Sequence, residues 1–298
     1  HGLPFAVSLT VSQEVTNLDF TIYVDQDNDG VHDMGEQGPS QDDPSYDGNV
    51  DLIPDYLQNH VASFSSNDRQ YYLTLAVPQE HSLAGVRPQD NPSPEDIPEY
   101  VSFPYGLFYF TVSELAPASS TTAILYQPND ADSNSYYQYG PELVNSSDHW
   151  YEFLYQGETG AEISGNMITL YHTDGQTGDL DLSENGVISN IGDPAFDISL
   201  VDSDADGTPD IFEECDQDPY KTEPGICGCG VADTDTDSDE TADCNDGCDE
   251  DPLKTEAGIC GCGVADTDTD SDGTADCNDG CNEDPLKTEV GICGCGIA

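Results

Sequence analysis

Acidic loops of one spacing recur along this chain, and they are the feature with the clearest chemical meaning. In the loop that begins at Asp202, oxygen ligands fall at positions 1, 3, 5, 7, 9 and 12, and Gly207 falls at position 6. Alternate positions turn inward as such a loop curls, the glycine permits a sharp turn, and position 7 offers its backbone carbonyl. Hard oxygen donors arranged in this way favour calcium. The spacing therefore predicts a calcium site.

The same spacing defines a first loop (25–36), a looser second loop (47–58) and three tail loops (202–213, 235–246 and 268–279). We expect at least four calcium ions. In the second loop Leu52 replaces the glycine and Gln58 stands at position 12, and in the middle tail loop Glu240 replaces the glycine. The predicted ligands are Asp25, Asp27, Asp29, Val31, Asp33 and Glu36; Asp47, Asn49, Asp51, Ile53 and Asp55; Asp202, Asp204, Asp206, Thr208, Asp210 and Glu213; Asp235, Asp237, Asp239, Thr241, Asp243 and Asp246; and Asp268, Asp270, Asp272, Thr274, Asp276 and Asp279.

A further acidic segment, DGQTGDLDLSENG, begins at Asp174. Asp174, Asp179 and Asp181, together with Asn185, are candidate ligands of another metal-bound loop. An ordinary turn rich in glycine and aspartate explains the same letters, and the sequence leaves both interpretations open.

The tail repeats with a period of 33 residues, and all 11 cysteines lie in it. Because the tail has few large apolar side chains to form a hydrophobic core, it needs disulfides to stabilise its fold. Pairing in chain order predicts 215–227, 229–244, 248–260, 262–277 and 281–293, with Cys295 left over. Within each C-x-C motif the swapped pairing, such as 215–229 with 227–244, is the alternative. Disulfides imply an oxidising compartment.

Charge excludes several functions. With 61 acidic and 5 basic residues the formal net charge is −56, which repels nucleic acid and anionic membranes. No apolar run is long enough to cross a bilayer. Since the chain starts at His1 without a methionine and ends within a repeat, we expect a mature secreted protein whose repeats continue beyond this sequence.

Short β-prone runs separated by turn residues fill the region from Val61 to Val201, which predicts an all-β fold, an antiparallel β-sandwich. Five of its aromatic residues are expected to pack in the core and at its edges: Phe108, Phe110, Tyr137, Trp150 and Phe153. The predicted domains are 1–58, with strands and loops; 59–201, the sandwich; and 202–298, the repeat array with little regular structure. The apolar segment Leu3–Val15 is either the sandwich's own strand or a strand donated to a neighbouring copy, which would build a filament.

Two resemblances extend these expectations. The D-x-D-x-D-G-x-x-D loops with their cysteine punctuation resemble thrombospondin type 3 repeats, and the C-G-C-G and K-T-E elements depart from the animal pattern and look like bacterial versions. Residues 47–198 resemble the bacterial choice-of-anchor U domain, through IPDYLQNHVASF, NPSPEDIPEYVSFPYGLFYFTVSEL, YYQYGPE, HWYEFLYQGETGAEISGNMITLYHTDGQTGDLDLSENGVI and GDPAF. This second resemblance implies a bacterial surface or secreted protein with a C-terminal export and anchoring signal.

No catalytic motif was found, so we expect a protein that is not an enzyme. The leading hypothesis is a calcium- and disulfide-stabilised structural subunit of a bacterial cell-surface appendage, filament or stalk that associates with itself. A calcium-dependent adhesin or glycan-binding module, and the non-catalytic part of a larger secreted enzyme, are the alternatives. Asn145-Ser146-Ser147 is a glycosylation sequon.

Overall fold

The computed structural model describes residues 23–296. They form two compact units, one that ends at Asp197 and one that begins at Ile198. The N-terminal strand predicted at Leu3–Val15 lies outside the described residues, as does the assembly role assigned to it. Among the described residues the regular structure consists of strands and short 3₁₀ turns, with no α-helix.

Eleven strands make up the described part of the first unit. Their bounds are β1 Val61–Ser65, β2 Tyr72–Ala76, β3 Ser82–Pro88, β4 Val101–Ser102, β5 Phe108–Ser113, β6 Ser120–Tyr126, β7 Ser135–Glu142, β8 Asn145–Glu152, β9 Gly160–Ser164, β10 Met167–Thr173 and β11 Ile188–Asp197. In β5, the buried Phe108, Phe110 and Val112 alternate with the half-buried Tyr109 and Thr111. Such alternation is the mark of a strand with one face in the core.

The strands form two antiparallel sheets. One has the order β1-β2-β6-β10-β9, and the other has the order β3-β5-β11-β7-β8, with β4 paired to β11. Side chains of both sheets meet in one core that contains Leu73, Leu125, Phe108 and Phe110, each at most 1% exposed. The predicted antiparallel β-sandwich is confirmed.

The packing role predicted for the aromatic residues is also confirmed. Phe108, Phe110 and Phe153 belong to the main core. Tyr137 and Trp150 form a second buried cluster, in which Trp150 stacks on Phe103 with ring centroids 4.6 Å apart. These rings stabilise the sandwich and are not open to a ligand.

The second unit has no strand among its described residues, and five disulfides staple it. The cysteine pairing predicted in chain order is wrong. The swapped pairing is found instead, as Cys215–Cys229, Cys227–Cys244, Cys248–Cys262, Cys260–Cys277 and Cys281–Cys295. Cys293, and not Cys295, is the free cysteine.

The physical reason for this pairing is a turn that the cysteine spacing does not reveal. The carboxylate of Asp218 accepts the N–H of Gly230 at 2.7 Å, and the N–H of Asp218 donates to the carbonyl of Cys215 at 2.9 Å. These two bonds bring the second cysteine of C-x-C, Cys229, next to Cys215. The first cysteine, Cys227, is left to bond Cys244 in the following repeat.

Candidate metal centres

All five loops share one hydrogen-bond frame. In the first tail loop, Asp202 at position 1 accepts the N–H groups of Ala205 at 2.7 Å and Gly207 at 3.0 Å. Asp206 at position 5 accepts the N–H of Thr208 at 2.6 Å. Bonds to positions 1 and 5 recur at Asp25 and Asp29, Asp47 and Asp51, Asp235 and Asp239, and Asp268 and Asp272. In the second loop and the last tail loop, the N–H of position 5 replaces that of position 4 as a donor to position 1. These carboxylates hold the backbone of their own loop in shape.

Position 9 closes each loop. Asp210 accepts the N–H of Ser203 at 2.7 Å, and its own N–H donates to the carbonyl of Val201 at 2.9 Å. Equivalent bonds are made by Asp33, Asp55, Asp243 and Asp276. Hydrogen bonds from the Ser203 side chain and N–H hold the pKa of Asp210 below its usual value. Hydrogen bonds also lower the pKa of Asp243 and Asp276, so the frame favours the ionised form of position 9 in the three tail loops. In the second loop, burial raises the pKa of Asp55 to about 6.

The backbone takes the left-handed conformation at positions 4 and 6 of every loop. The φ angles are 62–66° at position 4 and 76–109° at position 6. Leu52 and Glu240 hold this conformation at position 6, where the other loops have glycine. A left-handed residue with a side chain costs roughly 1–2 kcal/mol. The two loops without glycine thus follow the same path, at a cost in strain.

Positions 3 and 12 behave differently from the rest of the frame. In every loop, both positions carry at least one side-chain oxygen that is shielded from solvent and has no hydrogen-bond partner. The residues are Asp27 and Glu36, Asn49 and Gln58, Asp204 and Glu213, Asp237 and Asp246, and Asp270 and Asp279. Buried oxygens without partners are costly, and a cation satisfies them. In the first loop and the three tail loops, where these oxygens belong to carboxylates, they fit a metal ion at the centre of the loop.

The carboxylates of positions 1, 3 and 5 converge in four of the loops. In the first loop and the three tail loops, one oxygen from each of these aspartates lies within 4.8 Å of the others, so each triplet can hold a metal ion. The donor set consists of oxygens, which is the set that calcium prefers. Burial is the largest cause that raises the pKa of the position-3 residues Asp204, Asp237 and Asp270.

The second loop has the frame but different ligands. Asn49 at position 3 donates its amide N–H to Asp51 at 3.1 Å, and Gln58 at position 12 donates to the carbonyl of Ile53 at 3.1 Å. Both amide oxygens are left without partners. If each amide group were rotated by 180°, its oxygen would face Asp51 and Ile53, which are the other expected ligands. The orientation of an amide group is assigned from its hydrogen-bond partners. The loop therefore fits a cation once both amides are turned.

The first loop is built into the sandwich. Glu36 is fully buried, and its carboxylate accepts the N–H of Ser63 in β1 at 3.1 Å. The N–H of Val86 in β3 donates to the carbonyl of Asp29 at 2.9 Å. A Cβ on Gly30 would lie 2.6 Å from the backbone of β3, so only glycine fits there. This loop therefore contacts strands of both sheets.

Ser63 also links the first loop to the second. Its hydroxyl donates to the buried carboxylate of Asp55 and is 2.6 Å from the hydroxyl of Thr74 in β2. A Cβ on Gly48 would lie 2.0 Å from that Thr74 hydroxyl. One residue of β1 thus contacts position 12 of the first loop through its N–H and position 9 of the second loop through its hydroxyl.

Burial makes the first loop the most perturbed of the candidate centres. Desolvation, followed by the charge of neighbouring carboxylates, raises the pKa values of Asp27, Asp29 and Glu36 above their usual range. The neighbours are Asp25 for Asp27, Asp27 for Asp29, and Asp29 for Glu36. These carboxyls need a counterion or protons to remain buried together.

The acidic segment at 174–185 has another role. Asp174 accepts the N–H groups of Ala118 at 2.8 Å and Gly186 at 2.9 Å, and Asp179 accepts those of Gly175 at 3.0 Å and Ser189 at 3.1 Å. Asp181 accepts hydrogen bonds from Ser183 and Asn185. Since backbone N–H groups already satisfy the two buried carboxylates, the structure favours the turn over the predicted metal site.

Each repeat also contains a turn that is centred on a lysine ammonium group, and this turn was not predicted from the sequence. Lys221 donates to three backbone carbonyls at 2.7–3.0 Å and lies 3.1 Å from the carboxylate of Asp233. Lys254 makes the same contacts, with Asp266 as its acid. The sequence carried one signal for these lysine turns: Lys221, Lys254 and Lys287 are three of the 5 basic residues, and they are spaced at the 33-residue repeat period. Each ammonium group organises the turn that carries C-G-C-G.

Comparison with protein-family models, curated proteins and solved structures finds no match for this chain. In the part of the chain that the structure describes, no helix is long and apolar enough to cross a membrane. The five disulfides indicate an oxidising environment.

Proposed function

We propose that this chain is a non-catalytic extracellular structural protein, a subunit of a bacterial surface appendage, filament or stalk that calcium and disulfides stabilise. One observation carries the calcium part. In the first loop and the three tail loops, carboxylate oxygens at positions 3 and 12 are buried without partners, and the carboxylates of positions 1, 3 and 5 converge. A sequence under no demand for a cation would not leave the same two positions without partners four times over.

The first loop and the three tail loops hold calcium through aspartates at positions 1, 3 and 5. The second loop holds a fifth ion, with amide oxygens of Asn49 and Gln58 in place of two carboxylates. Extracellular calcium modules bind with Kd values around 10⁻⁴–10⁻³ M, which suits a protein that meets millimolar calcium outside the cell.

The structural role is supported by the type of stabilisation. The tail has little apolar core, and its large side chains Tyr220, Leu253 and Leu286 are about 90% exposed. Disulfides, lysine-centred turns and acidic loops hold the tail in its folded shape. Such a construction suits a durable spacer. Exposed apolar side chains at the 33-residue period also offer contacts to neighbouring copies.

Two measurements test this proposal. Calorimetric titration of the chelator-treated protein should give five calcium ions per chain, and Asp270→Ala, which removes the position-3 oxygens altogether, should remove one of them. Ser271→Ala, in the same loop, should keep all five, because Ser271 is at position 4 and supplies no ligand. A count of zero would overturn the calcium assignment.

Self-association is tested separately, by electron microscopy and sedimentation of the full chain in 2 mM calcium. Filaments or concentration-dependent polymers are expected. A protein that stays monomeric at every concentration, with and without calcium, would overturn the assembly role and leave the calcium assignment standing.

A further inference from the structure

A cleft lies on the outer face of the five-stranded sheet. Leu73 and Leu125 point into the core from β2 and β6, so their neighbours Tyr72, Thr74 and Tyr126 face the other way. These outward residues line a cavity of about 660 Å³, together with the second loop and the turns that follow β1 and β6. This is the volume range of small-molecule sites.

Tyrosine rings form much of the wall. Tyr46, Tyr72 and Tyr126 line the cleft, and Tyr71 borders it while its ring packs against the core and Tyr105. The hydroxyl of Tyr72 donates to the carbonyl of Gly35 at 2.7 Å, and the Tyr46 ring packs edge-on against Tyr72 at 5.1 Å. Two of these rings are therefore fixed in place before any ligand arrives, and fixed aromatic surfaces bind ligands at low entropic cost.

The opposite side consists of the amide residues Gln127, Asn129 and Asn166 with one acidic residue, Asp130. The amide of Asn166 donates to the carbonyl of Gln127 at 3.0 Å and lies 3.4 Å from the amide oxygen of Asn129. Gln127, only 5% exposed, donates to Ser133 at 2.8 Å, and its amide oxygen has no partner. Asn166 is thus held against Asn129 and the backbone of Gln127 beside the tyrosines, and all three residues line the cleft.

An exposed apolar residue at the rim points to contact with a ligand. Val50 occupies position 4 of the second loop, is 76% exposed and has a φ of 62°. A β-branched residue in the left-handed region is strained, and such strain collects at functional sites. The same position in the other loops holds Asn28, Ala205, Ser238 and Ser271, which are smaller or polar.

Two classes of ligand are disfavoured by the surroundings. β2 and β6 are interior strands of their sheet, so the floor of the cleft offers no free backbone edge on which a peptide strand could pair. Arg69 is the one cationic residue that lines the cleft, in a chain with a net charge of −56, which repels anionic ligands.

We propose that this cleft binds a neutral oligosaccharide, with sugar rings stacked on the tyrosines and hydroxyls hydrogen-bonded to the amides of Gln127, Asn129 and Asn166. Pyranose rings present apolar C–H faces and uncharged hydroxyl edges, and the lining offers a partner for each. Because the second loop forms one wall, calcium bound there fixes Val50 and strengthens binding. This adds a ligand site to the structural role and does not depend on filament formation.

The test is an array of neutral oligosaccharides probed with the full chain in 2 mM calcium, followed by calorimetry with the best-bound sugar. Tyr126→Ala and Asn129→Ala should each weaken binding at least tenfold. Tyr220→Ala, which removes a tyrosine that is 92% exposed in the tail, should bind like the parent. Excess chelator should lower affinity severalfold. The melting curve of each variant, followed at Trp150, verifies that the sandwich is folded.

Three results would overturn the proposal. They are no binding of any neutral oligosaccharide at millimolar concentration, binding that survives Tyr126→Ala in a folded protein, and a preference for anionic polysaccharides or peptides. Calcium titration on the same sample separates these outcomes from a failure of the calcium assignment, because five bound ions with no sugar binding would reject the cleft alone.

Discussion

Chelation of calcium should destabilise the sandwich itself, because the first loop is part of its packing. Glu36 and Asp29 are fully buried, and Glu36 is hydrogen-bonded to Ser63 in β1. Removing the ion leaves several carboxylates close together beside the core. The first unit must then take up protons, release the loop or lose stability.

The magnitude follows from the geometry. Two carboxylate charges 4.8 Å apart repel by about 3.5 kcal/mol at an effective dielectric constant near 20, so an empty triplet takes up protons or moves apart. At 2 mM calcium and a Kd of about 10⁻⁴ M, each site stabilises the folded state by about 1.8 kcal/mol. For the two loops on the sandwich this corresponds to a shift in Tm of about 7–14 °C.

The assay is thermal unfolding followed by tryptophan fluorescence. Trp150 is the only tryptophan, and it is 8% exposed within the first unit, so it reports on the sandwich. Glu36→Gln keeps an oxygen that can accept the Ser63 N–H but removes one ligand charge. At 2 mM calcium, a tenfold loss of affinity would cost about 1.2 kcal/mol and lower Tm by about 2–5 °C. Glu213→Gln is the matched control, since it makes the same change at position 12 of a tail loop.

Identical Trp150 melting curves in calcium and in chelator would refute this reasoning. So would an equal effect of Glu36→Gln and Glu213→Gln, because the argument assigns the sandwich's dependence on calcium to the first loop.

Further outcomes are expected elsewhere in the molecule. Non-reducing peptide mapping should recover the bridge between Cys227 and Cys244, and recovery of chain-order pairs instead would contradict the observed fold of the turn. Lys254→Met should leave three carbonyls without their donor, at roughly 1–3 kcal/mol, and speed local amide exchange in that repeat. Burial lowers the pKa of His172 to about 4, so the unfolded chain binds its proton first and stability should fall as pH drops from about 6.5 to 4. His172→Gln should flatten that decline, whereas the same change at the half-buried His149, which lies 2.9 Å from Glu142, should not.

The fold class and the frame of the loops could be predicted because both are local patterns. Alternation in β5 places Phe108 and Phe110 in the core whatever the strand order is. The spacing of Asp202, Asp204 and Asp206 brings their oxygens together through hydrogen bonds within a few residues of chain. Period and spacing are properties that a single sequence displays directly.

Contacts between distant segments could not be predicted in this way. The cysteine pairing depends on the bond from Gly230 to Asp218, which no spacing rule encodes. Asp174 carries the same letter as a ligand, but it is satisfied by the N–H of Ala118, far away in the chain. The role of Lys221 could not be predicted, because it depends on contacts with three backbone carbonyls, and backbone carbonyls leave no pattern in the sequence. Ser63 gave no signal at all, although it contacts both loops on the sandwich.

The disulfide pairing has a mechanical consequence for the tail. Force applied along the chain follows the shortest covalent path, which crosses from Cys215 to Cys229, returns to Cys227, crosses to Cys244 and continues to Cys248. The two crossings span Cα–Cα distances of 5.4 and 5.8 Å, and the backbone on this path amounts to about six residues of about 3.4 Å each. A fully stretched repeat therefore extends to only about 31 Å, against about 110 Å for the same repeat without disulfides. Calcium can leave and every turn can open, yet a tail with intact disulfides remains a short and nearly inextensible tether.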